Sequence, residues 1–96
     1  MYEYMICKYI NPKGNTCYCL NGGQGQTVEY LKKFWYDNDR PQGYILQDIL
    51  VIDKKEFDIV NNWQKCHARL NIRINEANKT FFNAVTNGQF KKFIGE

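Results

Sequence analysis

The sequence predicts an α+β domain. An N-terminal β-hairpin and a central strand form a small antiparallel sheet, packed against one short helix and one long C-terminal helix. Three observations carry this reading. Residues 2–10 (YEYMICKYI) and 16–20 (TCYCL) are rich in aromatic and β-branched types and flank the turn-forming NPKGN. Residues 44–52 (YILQDILVI) are apolar on both faces of an extended chain. No Gly or Pro occurs between Asp53 and Asn87, and apolar residues there recur at steps of three and four.

Each element has a local cause. In the 11–15 turn, Pro12 presets its own φ and Gly14 accepts a positive one. Thr16–Leu20 returns as the second strand, and NGGQGQ reads as a loop. Thr27 caps a helix that runs to about Tyr36, with Val28, Leu31 and Trp35 on one face and Tyr30 and Phe34 beside them. The polar stretch from Asp37 to Gly43 ends it as a loop. Asp53 and Glu56 have capping-box spacing. Ile59, Trp63, Cys66, Leu70, Ile74, Ala77, Phe81 and Ala84 then form one helical stripe that stops at Asn87-Gly88. Within it, 68–75 (ARLNIRIN) alternates, and a strand between two shorter helices is the rival reading. Residues 89–94 (QFKKFI) suit a short terminal strand or turn.

The 96 residues form one domain, 1–96, with a thin core. At 44% hydrophobic the chain can fold, and at +3 it is only mildly basic, unlike a dedicated nucleic-acid binder. The N-terminus reads as no signal peptide, and no apolar run is long enough to span a membrane. A cytoplasmic, reducing compartment is therefore expected, where clustered cysteines suggest metal before disulfide.

Three of the four cysteines crowd into CKYINPKGNTCYCL, and the fourth, Cys66, precedes the only histidine, His67. A hairpin with 11–15 as its loop sets Cys7 opposite Cys19 and Tyr9 opposite Cys17. Side chains two apart share a face, so Cys7, Cys17 and Cys19 project together. Cys66 on the core face of the long helix completes a tetrahedral zinc site, with His67 as its substitute. Four sulfurs saturate the metal, so the zinc is structural and the site staples the hairpin to the helix. Buried free thiols and a Cys7–Cys19 disulfide or redox pair are the competing readings.

Other features are weaker. NGGQGQT precedes a helix but lacks the lysine of a phosphate-binding loop. KKFWY and QFKKF interleave base and aromatic, as nucleic-acid platforms do, yet Phe34 and Trp35 have a core phase. No arrangement of carboxylates, Ser-His-Asp or zinc-hydrolase motif indicates an enzyme or a small-molecule substrate.

CKYINPKGNTCYCL and WQKCHARL, in a small α+β chain without a catalytic constellation, resemble the phage-encoded zinc-binding anti-CRISPR proteins that inhibit type II-A systems. The resemblance implies a non-enzymatic inhibitor in the host bacterial cytosol. It would dock on the RNA-guided DNA nuclease, the host CRISPR effector, and block DNA loading or cleavage. Many such inhibitors are acidic DNA mimics; a charge of +3 fits docking on a protein lobe better. Exposed aromatics and Arg dominate interface energies, so Tyr36, Arg40 and Tyr44 around DNDRPQG are the expected partner contacts. A zinc-stabilised nucleic-acid-binding module or small phage regulator is the alternative.

Overall fold

The structure, a computed structural model, describes residues 2–66 and 76–95. Its elements are β1 (Tyr2–Ile10), β2 (Thr16–Gln24), α1 (Val28–Phe34), β3 (Ile45–Ile52), α2 (Lys54–Cys66), α3 (Glu76–Val85) and α4 (Gln89–Phe93). The strands form one antiparallel sheet in the order β2-β1-β3. Among the described residues no helix is long and apolar enough to cross a membrane.

The hairpin closes as its turn chemistry requires. The Asn11 side-chain oxygen accepts from the N–H groups of Lys13 (3.0 Å) and Asn15 (2.9 Å), and Gly14 takes φ +85°. The expected register holds: Ile10 faces Thr16, Tyr9 faces Cys17, and Cys7 faces Cys19. The second strand, however, runs on to Gln24 instead of giving way to a loop at Asn21. Gly22 is there for room. A Cβ on it would lie 2.6 Å from Tyr4 and 2.7 Å from Phe57.

Tyr44–Ile52 was expected at the centre of the sheet, but the central strand is β1, and β3 lies at an edge. Apolar residues on both faces reflect helices above and below the sheet, which an edge strand meets as a central one does. A bulge between Lys8 and Tyr9 in the β1–β3 ladder leaves Gln47 without a β1 partner. This shifts the alternation, so that Leu46, Ile49 and Val51 share one face and Asp48, Leu50 and Ile52 the other.

Each face has its own core. Tyr4, Ile6, Tyr18, Leu20, Leu50 and Ile52 pack against Phe57, Val60 and Trp63 of α2, Phe81 and Phe82 of α3, and Phe90 and Phe93 of α4. On the reverse face, Met5, Cys7, Tyr9, Cys17, Cys19, Leu46 and Ile49 pack against Val28, Leu31 and Trp35. The two tryptophans of the chain thus belong to different layers.

Thr27 caps α1 as its sequence suggests, accepting from the Tyr30 N–H at 3.0 Å. The Glu3 carboxylate accepts from the Val28 N–H, placing a negative charge at the positive end of the helix. The expected loop after α1 is helical. Trp35–Asp39 forms a π-helical turn and Arg40–Gln42 a 3₁₀ turn, ended by Gly43 at φ +98°. Asn38, Arg40 and Gln42 side chains return to backbone carbonyls four residues earlier, which sustains the turns. Phe34, expected in the core, is 46% exposed and stacks on Tyr30.

Asp53 and Glu56 form a reciprocal capping box, each side chain accepting from the other residue's N–H (2.7 and 3.0 Å). The single long helix is replaced by two. The Trp63 and Phe82 rings lie 5.1 Å apart; on one continuous helix their positions would be about 28 Å apart. The alternating 68–75 segment lies outside the described residues. Asn87-Gly88 stops α3 at φ 54° and 86°, with the Gly88 N–H returning to the Asn83 carbonyl at 2.8 Å.

Residues 89–93, expected as a strand or turn, are helical because fully buried Thr86 starts them. Its hydroxyl donates to the Phe82 carbonyl (2.8 Å) and accepts from the Phe90 N–H (2.9 Å). Thr86→Val keeps the shape and leaves the Phe90 N–H unsatisfied. The expected loss is about 2 kcal/mol, with Thr86→Ser losing less, measured by urea denaturation.

Candidate functional site

The α1 face of the sheet gathers the chain's unusual chemistry. Cys7, Cys17 and Cys19 all project there, as β pleating requires. None of the three is joined in a disulfide. Cys7 is fully buried and its sulfur accepts from the Asn21 amide at 3.5 Å. Burial pushes the Cys7 thiol up to about 12, with the Asn21 bond opposing and Cys19 adding to the rise. Cys19 is pushed up to about 11 by burial, then by Cys17 and Asp39. Burial also raises Cys17. Tyr9, beside these thiols and Asp39, is raised as well, first by burial.

Thiols held protonated are poor nucleophiles at neutral pH. The pairing also disfavours a Cys7–Cys19 disulfide. The Asn11 N–H bonds to the Asn15 carbonyl at 2.8 Å, so by alternation 9↔17 and 7↔19 are hydrogen-bonded pairs. Such pairs hold their Cβ atoms about 5.5 Å apart, whereas a disulfide wants roughly 3.5–4.5 Å. In the folded chain at pH 8, maleimide is expected to label Cys17 first of these three and Cys7 last. Mass mapping of the labelled sites checks this; Cys7 labelled as fast as in urea would contradict it.

Cys66 ends α2, and α2 covers the opposite face of the sheet through Phe57, Val60 and Trp63. The Cys66 side chain and His67 lie outside the described residues. Among the described residues, no group of three or more His, Cys, Asp or Glu is placed to hold a metal ion. The recess beside the thiols, of ≈ 340 Å³, is lined instead by Cys17 and Cys19 with Tyr9, Asn11, Asp39 and Tyr44.

A larger groove, of ≈ 520 Å³, runs between α1 and β3. Val28, Lys32, Trp35 and Tyr36 form one wall; Leu46, Ile49 and Val51 form the other, with Gln47 and Asp48 at its rim. Tyr36 and Val51 are 56% and 53% exposed, and Ile45, at the start of β3, is 53% exposed. Beside the groove lies the outer edge of β3, which no described strand covers. Cys7 bonds toward β2, so Lys8, Ile6 and Tyr4 bond toward β3, and their partners Asp48, Leu50 and Ile52 face inward. The N–H and C=O groups of Ile49 and Val51 therefore point outward. The Ile49 N–H is taken up locally by the Asp48 carboxylate at 2.8 Å.

The expected partner contacts divide. Tyr36 lines the groove, with the Arg40 guanidinium 4.0 Å over its ring. Tyr44 lines the thiol recess, and its carbonyl accepts from the Trp35 indole N–H at 2.8 Å. Asp48 and Val51 were not anticipated. Their importance follows from the edge position of β3, which depends on pairing order and leaves no trace in composition. No known protein family, curated protein or solved structure matches the chain.

Proposed function

We propose that the chain is a non-enzymatic protein-binding module that takes an extended segment of a partner protein along the outer edge of β3. One observation carries this reading: a row of outward backbone groups lies beside an apolar groove walled by Trp35, Tyr36, Ile49 and Val51. Backbone pairing to the edge supplies affinity, and the groove selects alternate side chains. Aromatic and Arg side chains at the rim, Tyr36 with Arg40, suit the anchoring role.

The resemblance of the cysteine-bearing segments narrows the partner to a type II RNA-guided DNA nuclease in the host cytosol. Its DNA loading or cleavage would be blocked by occupancy. Purified nuclease, loaded with guide RNA, tests this with target DNA. The wild-type chain is expected to co-elute with it and suppress cleavage, and Val51→Lys to do neither while keeping its fold. Full cleavage at a large excess of wild-type chain would overturn the nuclease as partner. Inhibition unchanged by Val51→Lys would overturn the docking edge.

Structural zinc on Cys7, Cys17 and Cys19, with Cys66 or His67, is a separate proposal supported by three thiols on one face. Elemental analysis of purified protein decides it. One zinc per chain, lost together with thermal stability in Cys7→Ser and Cys66→Ser, supports it, and metal-free folded protein refutes it. A zinc-stabilised nucleic-acid-binding module is the remaining alternative. It predicts retention on DNA or RNA that falls steeply with salt.

A further inference from the structure

Asp48 is the only charged residue in β3. It is exposed, and its carboxylate occupies the Ile49 N–H, one of the outward donors that an incoming strand would use. A single charge on an edge that is apolar apart from its neighbour Gln47 keeps that edge from pairing indiscriminately. A strand that docks must supply a carbonyl to the Ile49 N–H and leave the displaced carboxylate in a tolerable place.

The ladder fixes where that place is. Asp48 bonds inward to Lys8's side of the sheet, so toward an added strand it stands in a non-hydrogen-bonded position. Facing residues come closest at such positions, with Cα atoms about 4.5 Å apart, and opposite charges there attract while like charges repel. We infer that the segment received by β3 is apolar at alternate positions and carries a Lys or Arg opposite Asp48. This deepens the proposed docking and rests on it. A second copy of β3 does not meet the requirement, because ILQDILVI contains no basic residue. The same carboxylate thus selects the partner and discourages self-pairing.

Two end-blocked nine-residue peptides that alternate Thr and Val from a Thr at each end, one with Lys and one with Glu in place of the central Thr, test the inference. Trp35 in the groove wall reports binding by fluorescence, in a Trp63→Phe background that removes the chain's other tryptophan. The wild-type pocket is expected to bind the Lys peptide about five- to tenfold more tightly than the Glu peptide. Asp48→Lys is expected to invert the preference and Asp48→Ala to abolish it, both with unchanged circular dichroism. Equal binding of both peptides to the wild type, or no inversion in Asp48→Lys, would overturn the basic-residue requirement while edge docking stands. Binding of neither peptide would overturn the docking itself.

Discussion

Phe82→Ala is expected to destabilise the chain by about 4 kcal/mol, the largest effect of any single truncation. Phe82 is fully buried at the junction of three helices and the sheet. Its ring lies 5.1 Å from Trp63 on α2, 5.3 Å from Phe81 on its own helix, and 5.2 Å from Phe90 on α4. Truncation removes the transfer free energy of a benzyl group and leaves a cavity whose walls are rings on three separate helices. Those helices cannot all close on it at once, so the cost should fall at the upper end of the range for such changes. A chain this short has little stability to spare, so the variant is expected to be largely unfolded at 37 °C. Urea denaturation followed by Trp63 emission measures the loss. A cost below about 1 kcal/mol would mean that α2, α3 and α4 do not share one core.

Gly22→Ala is expected to cost about 2 to 3 kcal/mol, although it adds a single methyl group. That methyl would overlap the rings of Tyr4, at 2.6 Å, and Phe57, at 2.7 Å. The two rings are packed against each other, with centroids 4.8 Å apart, so neither can move without disturbing the other. Phe57 also packs against the main core, so the displacement reaches α2. Overpacking of this kind typically costs 1–3 kcal/mol, roughly, and is relieved by making room. Gly22→Ala combined with Phe57→Leu should therefore be more stable than the sum of the two single changes predicts. Strict additivity would show that the close approach of α2 to β2 is wrong.

Much of the local structure was legible because its causes are local. The Asn11–Asn15 turn, the Thr27 cap, the Asp53–Glu56 capping box and the Asn87-Gly88 stop each depend on residues within a few positions of one another. The Cys7–Cys19 register followed from the turn for the same reason. What was misread depends on distant partners. NGGQ has loop composition, yet it continues β2 because Tyr4 and Phe57 need the space over Gly22. The stripe from Ile59 to Ala84 keeps one helical phase, but phase does not reveal that Trp63 and Phe82 are packed side by side. The candidate site was half visible. The thiols on one face were readable from spacing. The placement of α2 on the other face was not, because an amphipathic helix suits either side of a sheet whose strands are apolar on both.

The central claim is that the outer edge of β3 is open and receives a strand. Residue-resolved amide hydrogen exchange along β3 tests it most directly. In the free chain, the Val51 amide should exchange much faster than the inward-bonded amides of Leu50 and Ile52. With saturating Lys peptide, Ile49 and Val51 should become protected while Leu50 and Ile52 stay as they were. Val51 as protected as Leu50 in the free chain, or Ile49 and Val51 no more protected at saturation than without peptide, would contradict the account.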